Sequence, residues 1–249
     1  MLKLSNVSVF NRIERISVDT GKHGFIHVLG ANGSGKSTLL SVISGLLKPE
    51  SGSIVINEKS IDEYSLQELS QFRTFLEQSQ VTAFSLSVKE GLAFYSSEKL
   101  PLALEEALEV EQFKNSTLNQ LSGGEQQRVH IARVLMQIWS TLENGQGLVL
   151  LDEPFQGLDI RHQHLLCHLL KKLSDDGNLV IISQHDLNLC QQYADSVWLM
   201  KSGQLHASGK PLEVLIPEQL EDVFECKIEA FTNDTGRRVF ATALNELDR

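Results

Sequence analysis

The stretch GANGSGKS, Gly30 to Ser37, fits the pattern G-x-x-x-x-G-K-[ST]. Such a loop turns the backbone N–H groups of Gly30, Ala31, Asn32, Gly33, Ser34 and Gly35 around an anion, and the helix start behind it adds more. Gly33 and Gly35 permit a close backbone approach that a side chain would block. Lys36 would reach the β- and γ-phosphates of a nucleotide, Ser37 would ligate Mg2+, and Thr38 would reach the α-phosphate. An apolar run before the loop and a helix-like run after it argue against a chance glycine turn.

Two adjacent carboxylates, Asp152 and Glu153, close the apolar run LVLLDE. Asp152 would hold Mg2+ through water, and Glu153 would polarise the attacking water. Alone, such a pair is as readily the exposed end of a strand; beside a phosphate loop it becomes a candidate acid–base site. His185, in SQHD, would hydrogen-bond the γ-phosphate. Gln78, after FRTFLE, is a candidate contact to Mg2+ and water. A second anion-ready helix start occurs in LSGGEQQR, where Ser122, Gly123 and Gly124 precede a helical pattern. Spacing alone shows two such starts without explaining the second.

These residues need elements to position them. LKLSNVSV alternates as a half-buried strand, and GFIHVLG is a more continuous apolar strand running into the phosphate loop. KSTLLSVISGLL follows as a helix, stopped near Gly45 and Pro49. GSIVIN and FRTFLEQ read as short strands. GLVLLD and NLVIIS read as parallel strands covered on both faces, with the helix RHQHLLCHLLKKL between them. SVWLMKSGQLHASG predicts a hairpin turning at Ser202–Gly203, and the tail after Pro217 a helix and two short strands. Between about 79 and 145 the patterns are helical and predict a lobe inserted into a core formed by about 1–78 and 146–249. The fold class is α/β, a mostly parallel sheet with an antiparallel β portion. The phosphate loop, Asp152–Glu153 and His185 each follow an apolar strand, so they would converge at the carboxyl edge of one sheet.

At 249 residues and 41% hydrophobic, the chain can form one substantial core or a core with a smaller lobe. A formal net charge of −10 argues against broad binding to a nucleic-acid backbone. Three scattered cysteines without a CxxC pair suggest reduced thiols in a cytosolic protein. No apolar run approaches the roughly 20 residues that span a bilayer, and the first residues carry no cleavable signal pattern.

The order of motifs resembles the nucleotide-binding subunit of ATP-binding cassette (ABC) transporters over nearly the whole length. GANGSGKST, Gln78, LSGGEQQR, LVLLDE, GLD at Gly157–Asp159 and His185 follow one another as they do in that family. LSGGEQQR is the most specific element, because other phosphate-loop ATPases lack it. The resemblance implies an ATP hydrolase using ATP and Mg2+ and acting as a head-to-tail pair of copies. Ser122, Gly123 and Gly124 of one chain would close over ATP held by the other, with Asp159 at the seam. It also implies two membrane permease subunits, a periplasmic substrate-binding protein acting indirectly, and a place on the cytoplasmic face of the bacterial inner membrane. The extended connection VLMQIWSTLENGQG, together with SQHDLN and WLMKSGQLHASGKPLEVL, resembles the importer group serving vitamin B12, haem and ferric siderophores, most closely its B12 branch. Family members often stack adenine on an aromatic residue soon after the first strand. Phe10 is the nearby candidate and is equally compatible with a core position.

Other clusters have plainer readings. His164, Cys167 and His168 have a spacing that could bind metal, but on this helix a packed or solvated face is favoured. LALEEALEVE reads as the exposed side of a helix. Phe84 and Leu86 sit where the family docks its membrane subunit, or pack within the lobe. Against a non-transport ABC protein stand the single motif set and the lack of heptads. Against a metabolic kinase stands LSGGEQQR. Against an inactive binding module stand Lys36, Asp152, Glu153 and His185 together.

Overall fold

The most continuous apolar runs become the most buried strands. The computed structural model describes residues 1–78, 87–93, 99–234 and 236–243. Every residue of Leu148–Asp152 and of Leu179–Ser183 is buried, because helices cover both faces of the sheet they occupy.

The chain opens with β1 (Leu2–Val9) and β2 (Ile13–Asp19), then β3 (Gly24–Leu29), which feeds the loop into α1 (Lys36–Ile43). β4 (Ser51–Ile56), β5 (Lys59–Ser60), α2 (Leu66–Phe72) and β6 (Arg73–Leu76) follow. The helical stretch contributes α3 (Val88–Ala93), α4 (Leu102–Leu108), α5 (Gly123–Gln137) and α6 (Trp139–Glu143). The chain then alternates β7 (Leu148–Asp152), α7 (Ile160–Asp175), β8 (Leu179–Ser183), α8 (Leu187–Tyr193) and β9 (Ser196–Lys201). It closes with β10 (Gln204–Gly209), α9 (Pro211–Val214), α10 (Pro217–Phe224), β11 (Lys227–Thr232) and β12 (Arg238–Ala243).

Among the described residues, one sheet has the order β10-β9-β3-β8-β7-β6. Its pairings are parallel from β9 to β6, and β10 returns antiparallel on β9 as the expected hairpin. A second sheet, β2-β1-β4-β5, is antiparallel throughout, and β11 and β12 form a separate hairpin. The mostly parallel sheet and the antiparallel portion match the sequence expectation.

The period-2 alternation of strands divides the core. Leu148, Leu150, Leu179 and Ile181 face α1 and the antiparallel sheet, packing with Leu39, Leu40, Leu4 and Ile54. Val149, Leu151, Val180 and Ile182 face the other way, against α5 and α7 residues such as Leu135 and Leu170. Each such side chain, fully buried, contributes about 1.5–3 kcal/mol relative to exposure. The second apolar cluster runs without a break from the sheet into α3, α4 and α5, so the helical stretch is welded to the core on that side.

β2 was not expected from the sequence. Its burial pattern, with Ile13 and Ile16 inside, has the spacing of a helix rather than a strand. Arg15 at φ 49° and register shifts in the β1–β2 ladder account for the extra residue between them. Phe84 and Leu86 lie outside the described residues. Among the described residues no helix is long and apolar enough to cross a membrane.

Candidate functional site

The turn after β3 closes on itself. Gly30 has φ 152°, and a Cβ there would lie 2.4 Å from the Met200 carbonyl oxygen, so only glycine fits. Lys36, at the start of α1, donates from Nζ to the carbonyls of Gly30 (2.8 Å) and Ala31 (3.0 Å). Burial lowers the affinity of this ammonium for its proton, while Glu153 and Asp152 act in the opposite direction. The loop thus presents a preformed cationic ring, with Gly35 in the left-handed region immediately before α1. The buried Ser34 hydroxyl has no protein partner.

Asp152 and Glu153 stand at the end of β7, where Asp152 is level with Ser183 of the neighbouring β8. The Ser183 hydroxyl donates to Asp152 Oδ1 and accepts the Glu153 N–H at 2.9 Å. Asp152 is 1% exposed, and its Oδ2 has no partner in the protein. A buried carboxylate oxygen left unpaired is costly unless a cation or donor completes it. That fits Mg2+ beside Asp152. Glu153 turns outward with φ 48°, and its Oε2 accepts a hydrogen bond from Gln78 Nε2 at 3.2 Å.

Glu153 and Gln78 share one cavity of about 810 Å3 with the phosphate loop. Asn32, Gly33, Gly35, Lys36, Ser37 and Thr38 line it on one side, and Gln78, Glu153 and His185 on the other. Convergence at the carboxyl edge of the parallel sheet is what the strand-then-motif order predicted. Phe10 is exposed and lines an adjoining cavity of about 600 Å3 together with Gly33. Asn11, Arg12 and Gln156 also line the phosphate-loop cavity; no motif marks them in the sequence.

Ser122, Gly123, Gly124 and Asp159 are not among the residues lining that cavity. Ser122 caps α5: its Oγ accepts the Glu125 N–H at 3.4 Å, and Glu125 takes the Ser122 N–H at 2.7 Å. The first-turn N–H groups of Gly123 and Gly124 have no partner within the helix. Asp159 caps α7 by accepting the His162 N–H at 2.8 Å. Gly124 abuts the turn before α7 so closely that a Cβ on it would lie 2.3 Å from the Gly157 carbonyl oxygen.

The loop carrying His185 is tied to the strand that feeds the phosphate loop. Gln184 donates its N–H to Val28 O (3.1 Å) and its Nε2 to His27 Nδ1 (3.1 Å). Burial pushes His27 down to about 3. In the unfolded chain it would titrate near 6.5. Between these values the unfolded state binds the extra proton, so stability is lost as pH falls through that window, by up to about 1.4 kcal/mol per pH unit. His130, held to about 4 by burial and Arg133, adds in the same direction. Urea unfolding of His27→Gln from pH 7 to 4.5 is therefore expected to show a shallower acid loss than the parent. An equal slope would assign the loss elsewhere.

The metal-like spacing on α7 has a plain explanation. His164 Nδ1 lies 2.8 Å and His168 Nε2 3.2 Å from the Tyr193 hydroxyl, and Cys167 is buried in the core. Among the described residues no group of three or more His, Cys, Asp or Glu side chains is arranged to hold a metal ion.

A family model described as ABC transporter matches residues 13–156. The chain belongs to the ABC transporter family. It is an ATP-binding, ATP-hydrolysing subunit of that family. It is 39% identical over 244 residues to the vitamin B12 import ATP-binding protein BtuD of Vibrio atlanticus (strain LGP32), covering 94% of this chain and 97% of that protein. It is 38% identical over 232 residues to the hemin import ATP-binding protein HmuV of Rhodopseudomonas palustris (strain BisB5), covering 90% of this chain and 88% of that protein. Among solved structures, a dimeric ATP-binding cassette in a post-hydrolysis state with ADP and Pi superposes with a TM-score of 0.70 at 28% identity, covering 85% of this chain and 99% of that one. An ATP-binding subunit of an ABC transporter shares the fold with a TM-score of 0.74 at 24% identity, covering 86% and 91%.

Within this ABC subunit, Ser183 is the supporting residue that sequence reasoning missed. It sits at the end of a strand read only for its apolar content, and the signal that it faces Asp152 is the register of β7 on β8.

Proposed function

We propose that this chain is the ATP-hydrolysing subunit of a vitamin B12 importer, acting as a head-to-tail pair. One observation supports the pairing above others. The phosphate loop, Glu153 and His185 gather at one cavity, with Asp152 buried next to Glu153, while the second anion-ready helix start at Ser122 lies outside it. A second copy brings that helix start to the cavity.

ATP is the substrate. Gly30 to Gly35 and Lys36 hold its β- and γ-phosphates, Thr38 reaches the α-phosphate, and Phe10 stacks on the adenine. Mg2+, when bound, neutralises charge on the β- and γ-phosphates; Ser37, Gln78 and Asp152 would hold it. Glu153 takes a proton from the attacking water as its oxygen bonds to the γ-phosphorus and the bond to ADP breaks. His185 hydrogen-bonds the γ-phosphate. From the partner copy, Ser122, Gly123 and Gly124 donate to that phosphate, and Asp159 sits at the seam. Residues about 79–145 form the helical lobe that carries this closing face. Two membrane permeases bind the pair at the cytoplasmic face of the inner membrane, and a periplasmic binding protein supplies the vitamin.

The B12 assignment is supported by the near full-length likeness to a B12 import protein. The likeness to hemin import proteins covers somewhat less of each chain and makes haem the second reading. The test is uptake of labelled cobalamin in a bacterium lacking the ATPase of its B12 importer, supplied with this chain. Restored uptake that is lost with Glu153→Gln supports the proposal. Rescue of haem uptake in a matched strain, without cobalamin uptake, moves the substrate to haem.

A further inference from the structure

The first turn of α7 and the second turn of α5 are joined through one imidazole. His162, the third residue of α7, is buried. Its Nδ1 lies 2.9 Å from Asp159 Oδ2, and its Nε2 lies 3.0 Å from Arg128 Nη1. An arginine only donates, so a neutral ring that accepts from Arg128 at Nε2 carries its proton on Nδ1, toward Asp159. Both oxygens of Asp159 are engaged by His162, one by its backbone and one by its ring.

Arg128 has little freedom. It is buried in the second turn of α5, donates to Leu108 O at 2.8 Å, and stacks over the Phe113 ring at 5.0 Å. Glu109, in the left-handed cap of α4 at φ 49°, closes the cluster. Its Oε2 lies 3.3 Å from His162 Nε2 and 3.9 Å from Arg128, and its Oε1 lies 2.8 Å from Arg161. A parallel contact runs nearby, where Gln127 of α5 donates to Pro154 O at 3.1 Å.

We propose that His162 is a positioning residue through which the helix starting at Ser122 sets the seam carboxylate Asp159 of the same chain. The inference rests on the head-to-tail reading above. Nucleotide of the partner engages the N-terminus of α5, and a helix moves as a rigid element. Arg128 travels with it. A buried guanidinium gives up an acceptor only at high cost, so the imidazole follows and carries Asp159 with it. Occupancy of one site thereby reaches the seam shared with the other, through two discrete hydrogen bonds rather than through diffuse packing.

The test uses the whole purified chain and two variants that each keep one half of the ring's function. His162→Asn retains a polar atom near the Nδ1 position for Asp159 and cannot reach Arg128. His162→Gln retains an acceptor for Arg128 and loses the ring N–H to Asp159. Each is expected to lower kcat about tenfold. KM and the ATP affinity of the monomer stay within about twofold of the parent. In a Glu153→Gln background each still forms the ATP-dependent dimer. Parental kcat in both variants overturns the inference, as does a loss of kcat that only tracks a loss of folded protein in thermal melts. Glu153→Gln alone failing to dimerise with ATP ends the head-to-tail reading and this inference together. Normal dimerisation with parental turnover ends this inference alone.

Discussion

Glu153→Gln is expected to reduce ATP turnover by at least about 100-fold while the monomer still binds ATP. The variant keeps the size of the side chain and its contact with Gln78, since an amide oxygen accepts as a carboxylate does. It loses only the ability to take a proton from water. The loop holding it is fixed by Ser183, which accepts the residue 153 N–H through a backbone bond the substitution does not touch. A nucleotide that binds but is not cleaved keeps two copies together, so ATP-dependent dimer should accumulate in size-exclusion chromatography. Turnover close to the parental rate would remove Glu153 from the role of general base.

Ser122→Arg is expected to abolish turnover to a similar degree, by about 100-fold or more, through a different route. The residue is exposed at the start of α5 and outside the phosphate-loop cavity of its own chain. Replacing it removes an N-cap, worth about 1 kcal/mol, and puts a long cation where the partner's phosphates would approach. ATP affinity of the monomer, titrated with a fluorescent nucleotide, should stay within about twofold. Loss of that affinity would mean that Ser122 serves its own chain's nucleotide.

Much of this was legible because the chemistry imposes residue types. A loop that wraps phosphate needs glycines where φ is positive, as at Gly33 and Gly35, and a lysine at its end. Two strands covered on both faces need unbroken apolar runs, which marked β7 and β8 and so the carboxylates beyond them. The missed parts lacked a periodic signal. β2 carries its buried residues three apart because the strand bulges, so alternation failed. α2 was readable in principle: Ser65 and Glu68 form a capping box, with the Glu68 N–H donating to Ser65 Oγ at 3.2 Å. Phe10 has a local sequence rationale and an exposed position beside the loop. The cluster around His162 was invisible because Glu109, Arg128, Asp159 and His162 come from three separate segments. Only the docking of α4, α5 and α7 brings their side chains into one group.

The left-handed backbone at Glu153, φ 48°, carries a consequence for how the protein tolerates change. A branched or long side chain in that region costs about 1–2 kcal/mol relative to the right-handed one, and glycine escapes the cost while asparagine lessens it. At this position the fold's preference and the reaction's requirement therefore oppose each other. A library of position-153 variants sorted for thermal resistance alone would enrich glycine and asparagine, and so would select the inactive members. Thermostable descendants of this sequence have to gain their margin elsewhere and carry the strained glutamate with them.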